Sequence, residues 1–185
     1  MNRSILLLLG VALAVPASAS GQTAAVSIQQ ALAALPDEDY RRDAAVIRWN
    51  ADHTYDTLKE GTSRWVCYDR SEYLNRSPFA VQCTSVANLE RVAQNRRIRA
   101  ESADRREERS KLAEAEENDL RVVPEYGSVF FSMEGPDQGS AGMHITIAVP
   151  FATGASTGLP ETNPGAGTWI MAAGTSTAHI MTPGH

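Results

Sequence analysis

Lysine is almost missing from this chain. Of 17 basic side chains only Lys59 and Lys111 are lysines, and neither follows a glycine run, which excludes a Walker-type phosphate loop. Cysteine is as sparse: Cys67 and Cys83 are the only two, without the C-x-x-C spacing of a redox motif or zinc ribbon. None lies in or near residues 1–19, so a lipid-modified N-terminal cysteine is excluded. Beyond residue 19 no apolar run approaches the roughly 20 residues that a membrane helix needs, so no membrane insertion is expected. Clustered positive charge is lacking too. The formal net charge is −5, and nucleic acid is a poor partner for a chain of that sign, because counterion release requires grouped cations.

What is present begins with an export signal. Arg3 precedes an apolar run over residues 5–15, and Ala17-Ser18-Ala19 supplies a small-x-small cleavage pattern, so the mature chain is expected to start near Ser20, periplasmic or secreted. Loss of Arg3 takes the net charge to about −6. About 166 residues then remain, enough for one domain with a core and cramped for two. An oxidising compartment favours a Cys67–Cys83 disulfide, worth roughly 3 kcal/mol in the chain-entropy model. The alternative is a redox pair or half of a metal site.

Residues 20–36 read as a lead-in, with Ser27 capping a short helix over 28–35 that Pro36 ends, and a helical turn follows over 37–42. From Ala44 the period changes to two, with Ala45, Ile47 and Trp49 on one face. A turn at 50–53, holding a solvated His53, a strand over 54–59, a reversal at Glu60-Gly61 and a strand over 63–68 predict a three-stranded meander.

Residues 85–118 read as one long helix opened by Ser85, with Val86, Leu89, Val92 and Ala93 at helix-face spacing. Past Ala100 the apolar face disappears, and Glu101 to Arg105 and Glu107 to Lys111 form favourable i,i+4 pairs. An unbroken helix of that length would run about 50 Å, against a compact body about 40 Å across, so it must overhang or break. Its readings are a solvated strut or a docking arm for a partner.

Strands resume over 128–133 and 143–149, the second with Met143, Ile145, Ile147 and Val149 on the face expected to meet the core and His144, Thr146 and Ala148 on the other. Short strands over 169–172 and 178–181 follow. Gly154-Ala155-Ser156-Thr157-Gly158 matches G-x-S-x-G, and Glu161 and His179 come after it in α/β-hydrolase order. The match is rejected, because Leu159-Pro160 and Asn163-Pro164-Gly165 leave no room for the helix a nucleophile elbow needs. The long loop 152–168 is instead read as a binding-site rim or an ordinary surface loop. The binding residues proposed on this basis are His144, Ser156, Glu161, Trp169 and His179.

His144 and His179 sit on strands whose pairing would turn both imidazoles to one side. That pair is the basis of the alternative reading, a metal-assisted hydrolase with zinc and a third ligand from His53, Glu134 or Glu161. The main reading predicts no cofactor.

Gly61-Thr62 with Trp65 and Cys67, then Cys83, His144, Gly158-Leu159-Pro160, Trp169-Ile170-Met171, Gly174-Thr175 and Ala178-His179-Ile180-Met181 carry a resemblance. Over about half of the mature chain it resembles a family of exported bacterial proteins to which no activity is assigned. Two departures are Met143 where that pattern has proline and Ser176-Thr177 where it has Pro-Tyr, and the charged helix replaces a stretch richer in Met and Trp. The resemblance implies export and a shared fold, and brings no catalytic residue with it.

The sequence therefore predicts one α+β domain over residues 37–185. It should hold a mostly antiparallel sheet of about six or seven strands, covered on one side by the helix from Ser85, with short N-terminal helices. Its expected function is non-catalytic binding of a small ligand or an envelope protein.

Overall fold

A proline followed by an aspartate, Pro36-Asp37, separates the first two helical segments among the described residues. The computed structural model describes residues 27–73 and 76–182, so the expected leader lies outside the described residues. Residues 27–32 are helical (α1), and the chain then turns so that Leu35 enters the core. The carboxylate of Asp37 caps α2 (Glu38–Asp43) by accepting the Asp39 N–H at 2.7 Å.

Strand β1 (Ala45–Trp49) pairs antiparallel with β2 (Tyr55–Lys59) across a turn in which His53 adopts a φ of 68°. The expected meander stops there. Strand β3 (Trp65–Asp69) lies on the other side of β1 and runs parallel to it, with Ala45 opposite Val66 and Val46 opposite Cys67. Gly61 makes this crossing feasible. A Cβ at that position would stand 2.3 Å from the Ala45 backbone nitrogen, so only glycine lets the connection pass over the start of β1. The Thr62 and Ser63 N–H groups then both donate to Asp43 O, at 2.9 and 3.0 Å, and hold it down.

All later pairings are antiparallel: β3 with β4 (Phe79–Ser85), β4 with β5 (Val129–Gly135), and β5 with β6 (Gly142–Ala148). β8 (His179–Met181) then pairs with β6, and β7 (Trp169–Met171) closes the edge. The result is an α+β fold with one eight-stranded open sheet in the order β2-β1-β3-β4-β5-β6-β8-β7, slightly larger than expected.

Both faces are covered near β1, β3 and β4. On one, Ala31, Ala34 and Leu35 pack against Val46, Cys67, Val81 and Cys83, and Cys67 and Cys83 stand directly opposite each other and form the disulfide. On the other, Ile47, Trp49, Val66 and Tyr68 meet Leu89 and Val92. The helical cover is therefore two-sided rather than one-sided. The first layer reaches Phe131 and Met133 on β5 but covers β6 less, so Met143 stays exposed and Ile145 and Ile147 are half-buried instead of buried.

The long helix breaks. A 3-10 turn over Val86–Asn88, opened by Ser85, leads into α3 (Leu89–Ala100), and a separate α4 (Arg105–Glu117) starts after residue 104. The carboxylate of Asp104 accepts the N–H groups of Arg106 and Glu107 at 2.8 and 2.9 Å, and Glu107 reaches back to the Ala103 N–H at 2.7 Å. Without an apolar stripe to keep the helix straight on the sheet, this capping decides the local structure. The Glu107–Lys111 pair forms at 2.9 Å, whereas Lys111 meets Glu101 through its backbone carbonyl. Arg99 and Glu108, at 2.8 Å, tie the two helices together. A four-residue α5 (Gly154–Thr157) lies within the loop before β7.

Candidate functional site

Side-chain alternation sends Gln82, Ser132, Glu134, His144 and Thr146 to the same face of β4, β5 and β6. Together with α3, α4 and the segments after β3 and α4 they enclose a cleft of about 560 Å³, within the range of small-ligand sites. Leu112 of α4 is part of its wall, so α4 folds back over the sheet rather than projecting from it.

Five arginines line this cleft, Arg70, Arg76, Arg91, Arg99 and Arg121, against two carboxylates, Glu108 and Glu134. In an acidic chain, that is a concentrated inversion of sign, and low-dielectric walls focus such a field. Arg76 pairs with Glu134 at 2.6 Å and Arg99 with Glu108. Burial tends to raise the Glu134 carboxyl, but the hydrogen bond and charge of Arg76 outweigh it and hold the group below its ordinary range.

Arg91 and Arg121 are satisfied largely by neutral groups. Arg91 donates to Val122 O at 2.5 Å, Ser176 Oγ at 2.9 Å and Thr177 Oγ1 at 2.7 Å, and burial pushes its pKa down to about 10. Arg121 donates to Asn95 Oδ1 at 2.8 Å and lies 4.0 Å from Glu116. The Glu116 carboxylate meanwhile accepts the Ser176 hydroxyl at 2.6 Å, which fixes the end of α4 to the β7–β8 connection.

Arg70 differs from the other four. It follows β3 directly, its N–H bonds to Ala80 O, and its side chain lies on the Tyr68 and Gln82 face. Among the described residues its one hydrogen bond to a side chain is a long one of 3.4 Å from Nη1 to Ser132 Oγ, and its guanidinium carbon sits 5.8 Å from the Tyr73 ring centre. No carboxylate among the described residues forms an ion pair with it. Burial, and next the charge of Arg76, push its pKa down from the ordinary value.

Beneath Arg70 runs a polar chain. The buried Tyr68 hydroxyl donates to Gln82 Oε1 at 2.7 Å, and Gln82 Nε2 donates to Ser132 Oγ at 2.8 Å. Burial pushes the Tyr68 phenol far up, so it stays a donor and orients the amide. Ser132 Oγ then accepts from both Gln82 and Arg70, and no acceptor for its own O–H is found among the described residues.

His144 stands opposite Ser132 in the β5–β6 register and lines the cleft as an exposed side chain. His179 lines the other end, where its Nδ1 donates to Thr177 O at 2.7 Å and leaves Nε2 to face outward. The two imidazoles do share one side of the sheet. Because Ala148, not His144, is the register partner of His179, they are offset by four residues, about 13 Å along the strands. That offset is too large for both to bind one tetrahedral ion, and no group of three His, Cys, Asp or Glu among the described residues is placed to hold a metal.

Ser156, Glu161 and Trp169 lie outside the cleft. Ser156 and Thr153 form a reciprocal capping box on α5, the Ser156 N–H to Thr153 Oγ1 at 3.2 Å and the Thr153 N–H to Ser156 Oγ at 2.9 Å. Glu161 accepts the Gly154 N–H at 2.6 Å, and Trp169 is buried on β7. The G-x-S-x-G match is thus a helix cap. The arginines and Ser132 went unread because they are scattered from 70 to 132. The available signal was the excess of arginine over lysine, since a planar five-donor fork suits oxyanions in desolvated places. No protein-family model matches this chain, and no curated protein or solved structure matches it.

Proposed function

We propose that this protein is an exported, non-catalytic binding domain that takes a small anionic ligand in the cleft between the β4–β6 face and helices α3 and α4. The observation that carries this reading is Arg70, a half-buried guanidinium on the cleft without an ion-pair partner among the described residues, beside four further arginines. A half-buried cation without a counter-ion is partly stripped of its hydration, and an anion seated on it offsets part of that cost. Binding rather than catalysis is supported by the placement of His144 and His179 at opposite ends, which keeps the two imidazoles from acting on one point. The expected leader over residues 1–19, the disulfide and the resemblance of the C-terminal block to an exported family all support a periplasmic or secreted location.

The test is calorimetric titration of the mature chain with carboxylates, phosphate and sulfate at low and at physiological salt. Saturable one-to-one binding of an anion that weakens with salt and is lost in Arg70→Met is the expected result. If no member of the three anion classes binds, the reading is wrong. Sequencing the N-terminus of the protein recovered from its native host tests the expected cleavage before Ser20.

A further inference from the structure

The arginine cleft has two unlike ends. We infer that its ligand is a small-molecule monocarboxylate with an apolar body, the carboxylate seated on Arg70 and Ser132 and the body lying along Phe130, Leu112 and Val92. This rests on the anion-binding reading above and narrows it.

Charge count comes first. Arg76 and Arg99 have Glu134 and Glu108 as partners, so the end of the cleft near Arg70 has one guanidinium charge left over. One monoanion neutralises it, whereas a phosphate dianion would leave a surplus negative charge in a half-buried place. Donor geometry agrees. A guanidinium edge grips both oxygens of a carboxylate, and the Ser132 O–H adds a third donor to one of them, while no lysine among the described residues lines the cleft to serve the remaining oxygens of a tetrahedral anion.

The opposite end offers no guanidinium with a free fork. Arg91 is already engaged by Val122 O, Ser176 and Thr177, and Arg121 by Asn95 and Glu116. A dicarboxylate would have to displace those partners. Phe130, Leu112 and Val92 line the cleft as well, and burying a ligand's hydrocarbon against them favours binding.

Calorimetry with eight-carbon probes that differ only in the head separates these claims: octanoate, octyl phosphate, octyl sulfate and octanol, with acetate as the head without a body. Octanoate should bind more tightly than octyl phosphate, octyl sulfate or octanol, and at least tenfold more tightly than acetate. Arg70→Met should abolish octanoate binding. Arg70→Lys, which keeps the charge and loses the fork, should weaken it roughly tenfold or more, and Ser132→Ala by a smaller factor. Circular dichroism and the thermal midpoint establish that each variant is folded.

Tighter binding of octyl phosphate or octyl sulfate, still lost in Arg70→Met, would overturn the carboxylate class and leave the anion reading standing. Equal affinity for acetate and octanoate would overturn the apolar body. Octanoate binding that persists undiminished in folded Arg70→Met would overturn the placement of the head. Failure of every anionic probe would remove this inference, and the broader anion titration then decides the reading beneath it.

Discussion

Val81 and Gln82, like Phe131 and Ser132, are neighbours in sequence that live in different solvents. On one face of β4 and β5 the odd-numbered residues close on Leu35, Ala34 and the disulfide, with Leu35, Cys67 and Cys83 fully buried. On the other, the even-numbered residues form the floor of a cleft with five arginines in its walls. The strand backbone is common to both, so the difference is made by what covers each face. Apolar side chains from α1 and the turn after it dock closely on one, and α4, which buries no residue, is held over the other by ion pairs and hydrogen bonds. One face should supply stability, and the other recognition.

The largest effect expected from this division is at Leu35. Truncation by Leu35→Ala removes a fully buried side chain and leaves a cavity, for a loss of about 2–5 kcal/mol. Urea denaturation measures it. A loss below about 1 kcal/mol would mean that the α1 layer is not what stabilises the sheet. Replacing both cysteines by alanine should cost about 3 kcal/mol, given a sequence separation of 16, and should leave octanoate affinity of the folded protein unchanged, since the bridge lies on the far face.

How far these two faces could be read from sequence follows from the range of the forces that shape them. Period-two alternation is local, and it placed Ile47 and Trp49, and His144 and Thr146, on their observed faces. The disulfide was legible because a chain read as exported that holds two cysteines has one possible pairing. The parallel β1–β3 pairing was not, because it depends on Gly61 lying against Ala45, a contact that no hydrophobic pattern encodes. The helix break was half legible: the apolar stripe visibly ends at Ala100, but whether charge pairs keep a helix going is settled by Asp104 capping the next one. The cleft was the least legible part. His144 and His179 stood out as rare residues and do line it, while Arg70 and Ser132 meet only after β3 and β5 have each paired with β4.

A smaller effect should appear in acid. Burial raises the Glu116 carboxyl, but the Ser176 hydroxyl and N–H, with Arg91 and Arg121, outweigh it and hold it below its ordinary range, and Glu134 is lowered likewise by Arg76. A carboxyl with a lower pKa folded than unfolded stabilises the native state above its unfolded value of about 4.3, and that contribution fades as pH falls through the folded value. Stability should therefore decline below about pH 4.3, and Glu134→Gln should flatten the decline by up to about 1 kcal/mol, because the pair is partly exposed. In Glu116→Gln, amide exchange should quicken over residues 105–117 while the strands β3 and β4 stay protected. If exchange quickened equally in both, α4 would be part of the stabilising core rather than a cover on the binding face.

The smallest expected change in stability is the most informative, and it is at Arg70. A side chain that held the fold together would, on removal, leave partners stranded. Among the described residues Arg70 leaves only Ser132, which keeps Gln82 as a donor, so Arg70→Met removes a half-buried charge and puts a flexible apolar chain of similar length beside Tyr73. The thermal midpoint should stay the same or rise, by no more than about 1 kcal/mol in equivalent stability, while anion binding disappears. A fall comparable to that of Leu35→Ala would assign Arg70 to the structural side of the molecule and erase the contrast between its two faces. An unchanged or higher midpoint with lost binding would mean that the cationic cleft is retained at a cost to stability, as expected of a site kept for what it binds.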